Sequence, residues 1–324
     1  MPETVFSPHR NVCPAAAFVR SPKGWAILNA RRFDATGGVR PVSYAQQPHS
    51  ASDNPMPHFF LFLTIVAYVF SLGSYSRYLR SGREISGRLG TLFLILGLVA
   101  HYFALLDRAR ASHTVPYHDL NGSLSLFGWL LALTYLGLEL FHRQRSVGAF
   151  VMPFVLAFFL AANLTTGGDK LAPPPAHGPI FAFHVTLSIL AYAAFALSFV
   201  LSLIFLVENS LLRNRNLTEF VWRLPPLELL ERMSRSSVLV GIVSIAIGTA
   251  LGFIWVDRLT GQYFDPKYVV TLLVVLLYAV YWLLARTTGW RGARASRLCI
   301  FNFVIVVLSF TVVNLYLSHS HRYF

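Results

Sequence analysis

The C-terminal stretch of the chain decides the fold. It reads Tyr263-Phe-Asp-Pro-Lys267, an apolar segment, Gly289-Trp-Arg-Gly292 with a basic turn, and a second apolar segment that closes on Asn314-Leu-Tyr-Leu-Ser-His-Ser-His321. Each apolar segment is close to the length of about 20 residues that crosses a bilayer core as a helix. A histidine therefore follows directly on a predicted membrane helix, at the boundary with water.

Further apolar stretches precede these two along the chain. The predicted spans cover residues 59–76, 89–106, 123–141, 148–165, 181–206, 237–256, 268–285 and 298–317. Of the 324 residues, 55% are hydrophobic and 13% are charged, whereas soluble domains contain about 25% charged residues. The mean hydropathy is +0.55. We therefore predict an all-α, polytopic helical membrane protein with about eight transmembrane helices, which form one domain over residues 56–324.

The distribution of Lys and Arg predicts the orientation of these helices. The loops after spans 1, 3, 5 and 7 contain 15 of these residues, and the alternate loops with the C-terminus contain 6. Because cytoplasmic loops carry the excess of positive charge, the first set is predicted to be cytoplasmic and both termini to lie outside. The formal charge of +13 then reflects topology in a bacterial cytoplasmic (inner) membrane, and no nucleic-acid partner is expected.

The first 55 residues differ from the rest because they are polar and rich in Pro, Ser and Arg. They lack the apolar core of a signal peptide. One interpretation is a disordered N-terminal extension; the other is a natural start at Met56, directly before the first span. We favour the second interpretation, since 6 Lys and Arg residues would otherwise lie on the outer side.

Two histidines are predicted at the same outer boundary. His184 opens span 5 and His321 follows span 8. Neutral imidazole is an axial ligand of haem iron, and two imidazoles fill both axial positions. An interfacial histidine can instead bond only water or lipid headgroups, and His319 replaces His321 as the ligand if the helix ends early.

A third histidine, His101, is predicted inside span 2, where an ionisable group is costly and marks a functional candidate. It would bind haem at a second site, relay a proton, or only hydrogen-bond a neighbouring helix. Glu139, near the inner end of span 3, is expected to pair with a loop arginine or to extend towards water.

The outer loop between spans 6 and 7 is rich in aromatic residues. Its rings are candidates to lie against a porphyrin face, and its basic residues to pair with propionates; alternatively, the rings form an ordinary interfacial belt. The candidate haem-contacting residues of this loop are Trp255, Tyr263, Phe264, Asp265 and Lys267.

Several classes of protein are not indicated by the sequence. It contains no phosphate-binding Walker loop, no Gly-x-Ser-x-Gly and no His-Glu-x-x-His. The two cysteines, Cys13 and Cys299, form no Cys-x-x-Cys-His, so covalent haem attachment is not expected. No span carries the paired carboxylates of a proton-coupled transporter. None of these motifs supplies a nucleophile, so no catalytic residue is predicted.

Residues 59–324 resemble the cytochrome c assembly family of CcsA, ResC and the HemX-like and YpjD-like proteins. In the C-terminal third the resemblance rests on Asp265-Pro-Lys267, Tyr278-Ala-Val-Tyr281, Gly289-Trp-Arg-Gly-Ala-Arg294 and the run from Val313 to His321. Earlier segments that fit are His184-Val, Leu190-Ala-Tyr192-Ala and the cytoplasmic segment that opens with Leu224-Pro-Pro-Leu-Glu228.

The resemblance implies a membrane protein that holds non-covalent haem b for attachment to apocytochrome c, beside a CcsB/ResB-like partner. In CcsA-type members, two outer histidines flank a tryptophan-rich loop and ligate haem; these positions fall on His184 and His321. A second pair lies within spans, and His101 looks like one member of that pair.

Two departures point towards the HemX-like and YpjD-like branch. The family loop usually reads Tyr-Trp-x-Trp-Asp-Pro-Lys, but this chain has the shorter Tyr263-Phe264-Asp265, and Leu283 stands where the second within-span histidine is expected. The alternative function is therefore a membrane regulator or scaffold of haem biosynthesis without haem transfer, acting through residues 208–236. A haem or small-solute transporter is a third hypothesis.

Overall fold

The computed structural model describes residues 18–21, 24–27, 56–112, 120–164, 178–215, 223–259, 266–287 and 289–312. Within these ranges the membrane domain is entirely helical. Its helices are α1 (Met56–Ser81), α2 (Glu84–Ser112), α3 (Leu120–His142), α4 (Gly148–Leu164), α5 (Pro179–Arg213), α6 (Leu227–Leu259), α7 (Pro266–Thr287) and α8 (Ala293–Val312).

A short β-hairpin lies in the N-terminal unit, Met1–Asp53, which is separate from the helical unit Asn54–Phe324. Strand β1 (Phe18–Ser21) pairs antiparallel with β2 (Gly24–Ile27), with Phe18 opposite Ile27. The disordered extension predicted for residues 1–55 stays a prediction. The start at Met56 stays a prediction.

Helices α1, α2, α3, α5, α6 and α7 are long and apolar enough to cross a membrane. Helix α4 is apolar but has 17 residues, about 25 Å at 1.5 Å per residue, which is at the short end of the spanning range. Helix α8 carries Arg294 and Arg297 in its first two turns. Its described part ends at Val312, before residue 317, where span 8 is predicted to end. The prediction of a polytopic helical membrane protein is confirmed.

Tyrosine rings of α1 pack over glycines of α2. The ring of Tyr75 lies 2.7 Å from the Cβ position that a side chain at Gly90 would occupy, and the ring of Tyr68 contacts the same position at Gly97. Because the higher-numbered tyrosine meets the lower-numbered glycine, the two helices are antiparallel. Gly82 joins them in a tight turn with φ of 65°, a conformation that favours glycine. Small residues thus bring the two backbones close together.

Helices α5 and α6 form a second antiparallel pair that also packs around glycines. A Cβ at Gly241 would meet the ring of Phe195, and one at Gly252 would meet the ring of His184. On its other side, Phe195 stacks on Tyr278 of α7, with ring centroids 3.7 Å apart and planes at 5°. The glycines of α6 therefore set how closely α5 approaches.

The described parts of four helix connections lie at one end of the bundle, which we call the basic end because it carries most of the arginines in the described ranges. Polar contacts link these connections and the neighbouring turns of the helices. They are Arg145 to Glu84 at 2.9 Å, Ser236 to His142 at 3.3 Å and the Gly292 amide to Glu231 at 3.1 Å. The connections are the ones predicted to be cytoplasmic, and that orientation stays a prediction.

Candidate functional site

The structure places some of the predicted site residues and leaves others outside the described ranges. His184 and His101 are described with their side chains. Trp255 lies in α6 and Lys267 in α7, but their side chains are outside the described part. Tyr263, Phe264, Asp265 and His321 also fall outside it, so the pairing of His184 with His321 stays a prediction.

His184 lies near the start of α5, half-buried against α6. The helix begins at Pro179 after Gly178, and proline suits a first helical turn because its missing N–H would be unpaired there. The Nδ1 atom of His184 is 2.6 Å from the carbonyl oxygen of Gly248. Since a carbonyl only accepts hydrogen bonds, Nδ1 carries the proton and donates it. The lone pair of the neutral ring is then on Nε2.

Two glycines of α6 line the position of the His184 ring. A Cβ at Gly252 would lie 2.8 Å from both Cε1 and Nδ1 of His184, and one at Gly248 would lie 3.2 Å from Oγ of Ser188. Ser188 in turn donates to the His184 carbonyl at 2.8 Å. We call the surface formed by Gly248 and Gly252 the glycine niche. The sequence analysis missed it, although the Gly-x-x-x-Gly spacing is a known signal of close helix contact.

The donor set at His184 fits an axial ligand of haem. Metal-ligating histidines usually donate their other ring N–H to a carbonyl or carboxylate, which fixes the tautomer and the ring orientation. His184 shows this arrangement, and its Nε2 has no hydrogen-bond partner among the described residues. This arrangement is compatible with a haem ligand, and the role of His184 as one stays a prediction.

His101 has different neighbours. Its side chain is fully buried, with Nδ1 3.2 Å from the hydroxyl of Tyr68 and Nε2 2.9 Å from Oγ of Ser125. The ring of Phe159 meets the imidazole edge-on, with the two ring centroids 4.7 Å apart. Both nitrogens are thus engaged in the interhelical hydrogen bonds that the sequence analysis left open as one alternative. Haem binding or proton transfer at His101 stays a prediction.

Glu139 is the centre of a polar cluster at the basic end. Its carboxylate is buried, and it accepts hydrogen bonds from the hydroxyls of Tyr75, at 2.5 Å, and Thr91. Nε of Arg145, in the loop after α3, is 3.8 Å away. The expected pairing with a loop arginine is confirmed. The hydroxyl partners come from α1 and α2, so the cluster ties four segments together.

Comparisons with known proteins identify the family. The family model described as "Cytochrome C assembly protein" matches residues 117–321. The chain is 26% identical over 300 residues to the cytochrome c biogenesis protein CcsA of Heterosigma akashiwo, covering 81% of this chain and 91% of that protein. It is 25% identical over 260 residues to protein HemX of Brevibacillus brevis, covering 76% and 92%. CcsA of Prochlorococcus marinus is 26% identical over 272 residues, covering 72% and 82%. Since the family model matches more than half of the chain, this multi-pass membrane protein belongs to the cytochrome c assembly protein family.

Proposed function

We propose that this protein holds haem at the outer face of the bacterial cytoplasmic membrane for attachment to apocytochrome c. The observation that carries the proposal is the His184 imidazole, whose Nδ1–H is bonded to the Gly248 carbonyl so that Nε2 is the nitrogen with a free lone pair. Membership of the family and the similarity to proteins named CcsA support the same role.

In this proposal, His184 and His321 are the two residues that would hold haem b. Trp255, Tyr263 and Phe264 would contact the porphyrin, and Lys267 would neutralise a propionate. When bound, haem supplies the vinyl groups to which apocytochrome thiols add. The chain itself orients haem and limits its exposure, and a CcsB/ResB-like membrane protein is the expected partner.

The test is the visible spectrum of the full-length protein purified in detergent from haem-replete cells. We expect a bis-imidazole, low-spin spectrum that is lost in both His184→Ala and His321→Ala. His142→Ala is a matched control, because His142 lies at the basic end and contacts Leu138 and Ser236. A colourless wild type, or an unchanged spectrum in His184→Ala, would refute the proposal.

A second candidate is a HemX-like regulator or scaffold of haem biosynthesis that transfers no haem. The similarity to HemX favours it. Leu283 also favours it, because this residue stands where the second within-span histidine is expected, and its side chain is 53% exposed on α7. A histidine at that position would face away from the bundle in this structure. For this function we expect a colourless preparation and co-purification of a haem-synthesis enzyme, both insensitive to His184→Ala. Substitution of Glu228 and Arg232 on the exposed part of α6 would abolish the co-purification.

A further inference from the structure

We propose that Gly252 is the positioning residue of His184. Because it has no side chain, the imidazole approaches α6 closely enough to keep its Nδ1–H on the Gly248 carbonyl. The effect on ring geometry stands on the structure alone, and the effect on haem rests on the proposed function.

The first step of the argument is steric. A Cβ at position 252 would lie 2.8 Å from Cε1, 2.8 Å from Nδ1 and 3.5 Å from Cγ of His184. Non-bonded carbon atoms pack at about 3.5–4.0 Å. The imidazole therefore has to move when any other residue replaces Gly252.

The second step identifies which interaction that movement breaks. The ring edge that Gly252 contacts includes Nδ1, the atom bonded to the Gly248 carbonyl at 2.6 Å. A shift of the ring away from α6 lengthens this hydrogen bond directly. Once the bond is lost, nothing at Gly248 holds the proton on Nδ1, and the ring is free to turn and to exchange tautomers.

The two glycines of the niche act differently. A Cβ at Gly248 would meet Oγ of Ser188 at 3.2 Å and the backbone oxygen of His184 at 3.4 Å, and it does not have the ring among its nearest contacts. Gly248 contributes its carbonyl, which every residue at this position retains. Gly252 matters because it has no side chain, and every other residue would place a Cβ at this position.

A matched control is present on the same helix. A Cβ at Gly241 would also press on a ring of α5, that of Phe195. Gly241 is 11 positions from Gly252, about 16 Å along a helix, so its effect on packing is separate from His184. Gly241→Ala therefore reproduces the crowding of the α5–α6 interface without touching the imidazole.

The first experiment needs no haem. The thermal unfolding midpoint of the haem-free, full-length protein in detergent is measured for Gly252→Ala and Gly241→Ala, each in the wild-type and His184→Ala backgrounds. We expect Gly252→Ala to lower the midpoint in the wild type but not in His184→Ala, where alanine has room and favours the helix. Gly241→Ala should lower it equally in both. An equal loss from Gly252→Ala in both backgrounds would overturn the proposal, because residue 252 would then act through another contact.

The second experiment titrates the same proteins with hemin. Loss of an outer hydrogen-bond partner typically weakens metal binding about 10- to 100-fold, so we expect Gly252→Ala to bind at least about tenfold more weakly, with a shift from a low-spin to a high-spin spectrum. Gly241→Ala should keep the wild-type affinity and spectrum. If the wild type binds no hemin, the proposed function fails, and the stability cycle still decides the role of Gly252. Wild-type affinity and a low-spin spectrum in Gly252→Ala would refute the positioning role.

Discussion

The hydrogen bond from Tyr75 to Glu139 offers a direct test of the polar cluster at the basic end. Tyr75→Phe removes one hydroxyl and keeps the ring, so the edge-on contact with Tyr135, with centroids 5.9 Å apart, is preserved. The deleted group is a buried O–H that lies 2.5 Å from a carboxylate oxygen. The change therefore removes the hydrogen bond to Glu139 and leaves the ring packing in place.

The magnitude follows from two opposing considerations. Hydrogen bonds to charged groups contribute about 1.5–3 kcal/mol, whereas interhelical hydrogen bonds within membranes average about 0.6 kcal/mol and reach about 1.7. The carboxylate of Glu139 keeps the Thr91 hydroxyl and the nearby Arg145 guanidinium after the substitution, so it is not left unpaired. We expect a loss of about 1.5 kcal/mol in the free energy of unfolding, the upper part of the membrane range.

The assay is reversible unfolding of the full-length protein in mixed micelles, followed by circular dichroism as the denaturing detergent is increased. Tyr78→Phe is the control: its hydroxyl lies 3.3 Å from Glu84, at an exposed position, where screening limits the loss to below about 0.5 kcal/mol. If the two variants lost the same stability, the buried bond would contribute no more than the surface one, and our account of the cluster would be wrong.

Further predictions concern the α1–α2 pair and the first helices. His101→Leu should lower the free energy of unfolding by about 2 kcal/mol, because it leaves the buried hydroxyls of Tyr68 and Ser125 without their partner. A simultaneous loss of haem absorbance would show instead that His101 ligates haem. Gly97→Ala should destabilise by about 1–3 kcal/mol through overpacking against Tyr68, measured by the same unfolding titration. Gly137→Ala should be neutral or stabilising by up to about 1 kcal/mol, since no atom of the described residues outside its own helical turns lies within 4 Å of the new Cβ; a loss of stability would show that the new methyl group meets a neighbour.

Hydropathy predicted the helices because a bilayer imposes their length and composition on the sequence. Helix α5, from Pro179 to Arg213, contains all of span 5. The helix is longer than span 5 at both ends, because it continues into residues outside the apolar segment that hydropathy detects. The sequence likewise indicated His184 and His101 as candidates, because an imidazole at or within a span is unusual.

The partners of these histidines were beyond prediction from one sequence. The hydroxyls that contact His101 come from α1 and α3, and the carbonyl that fixes the His184 tautomer comes from α6, 64 residues along the chain. Which helix faces meet depends on packing of the whole bundle, and a backbone carbonyl has no signature in the sequence. The glycines were visible, but whether each one meets a ring or open space is a property of the fold.

The length of the α5–α6 hairpin has a consequence for measuring sidedness. With 35 residues, α5 extends about 52 Å at 1.5 Å per residue, which exceeds the about 40–45 Å of a bilayer with its headgroups. A helix of this length projects beyond the bilayer at one end or both, so we expect Arg213, its last residue, to be accessible to water. Trypsin added to sealed vesicles would cleave after Arg213 only from the compartment that the basic end faces, and a fragment that ends at this residue would report the orientation.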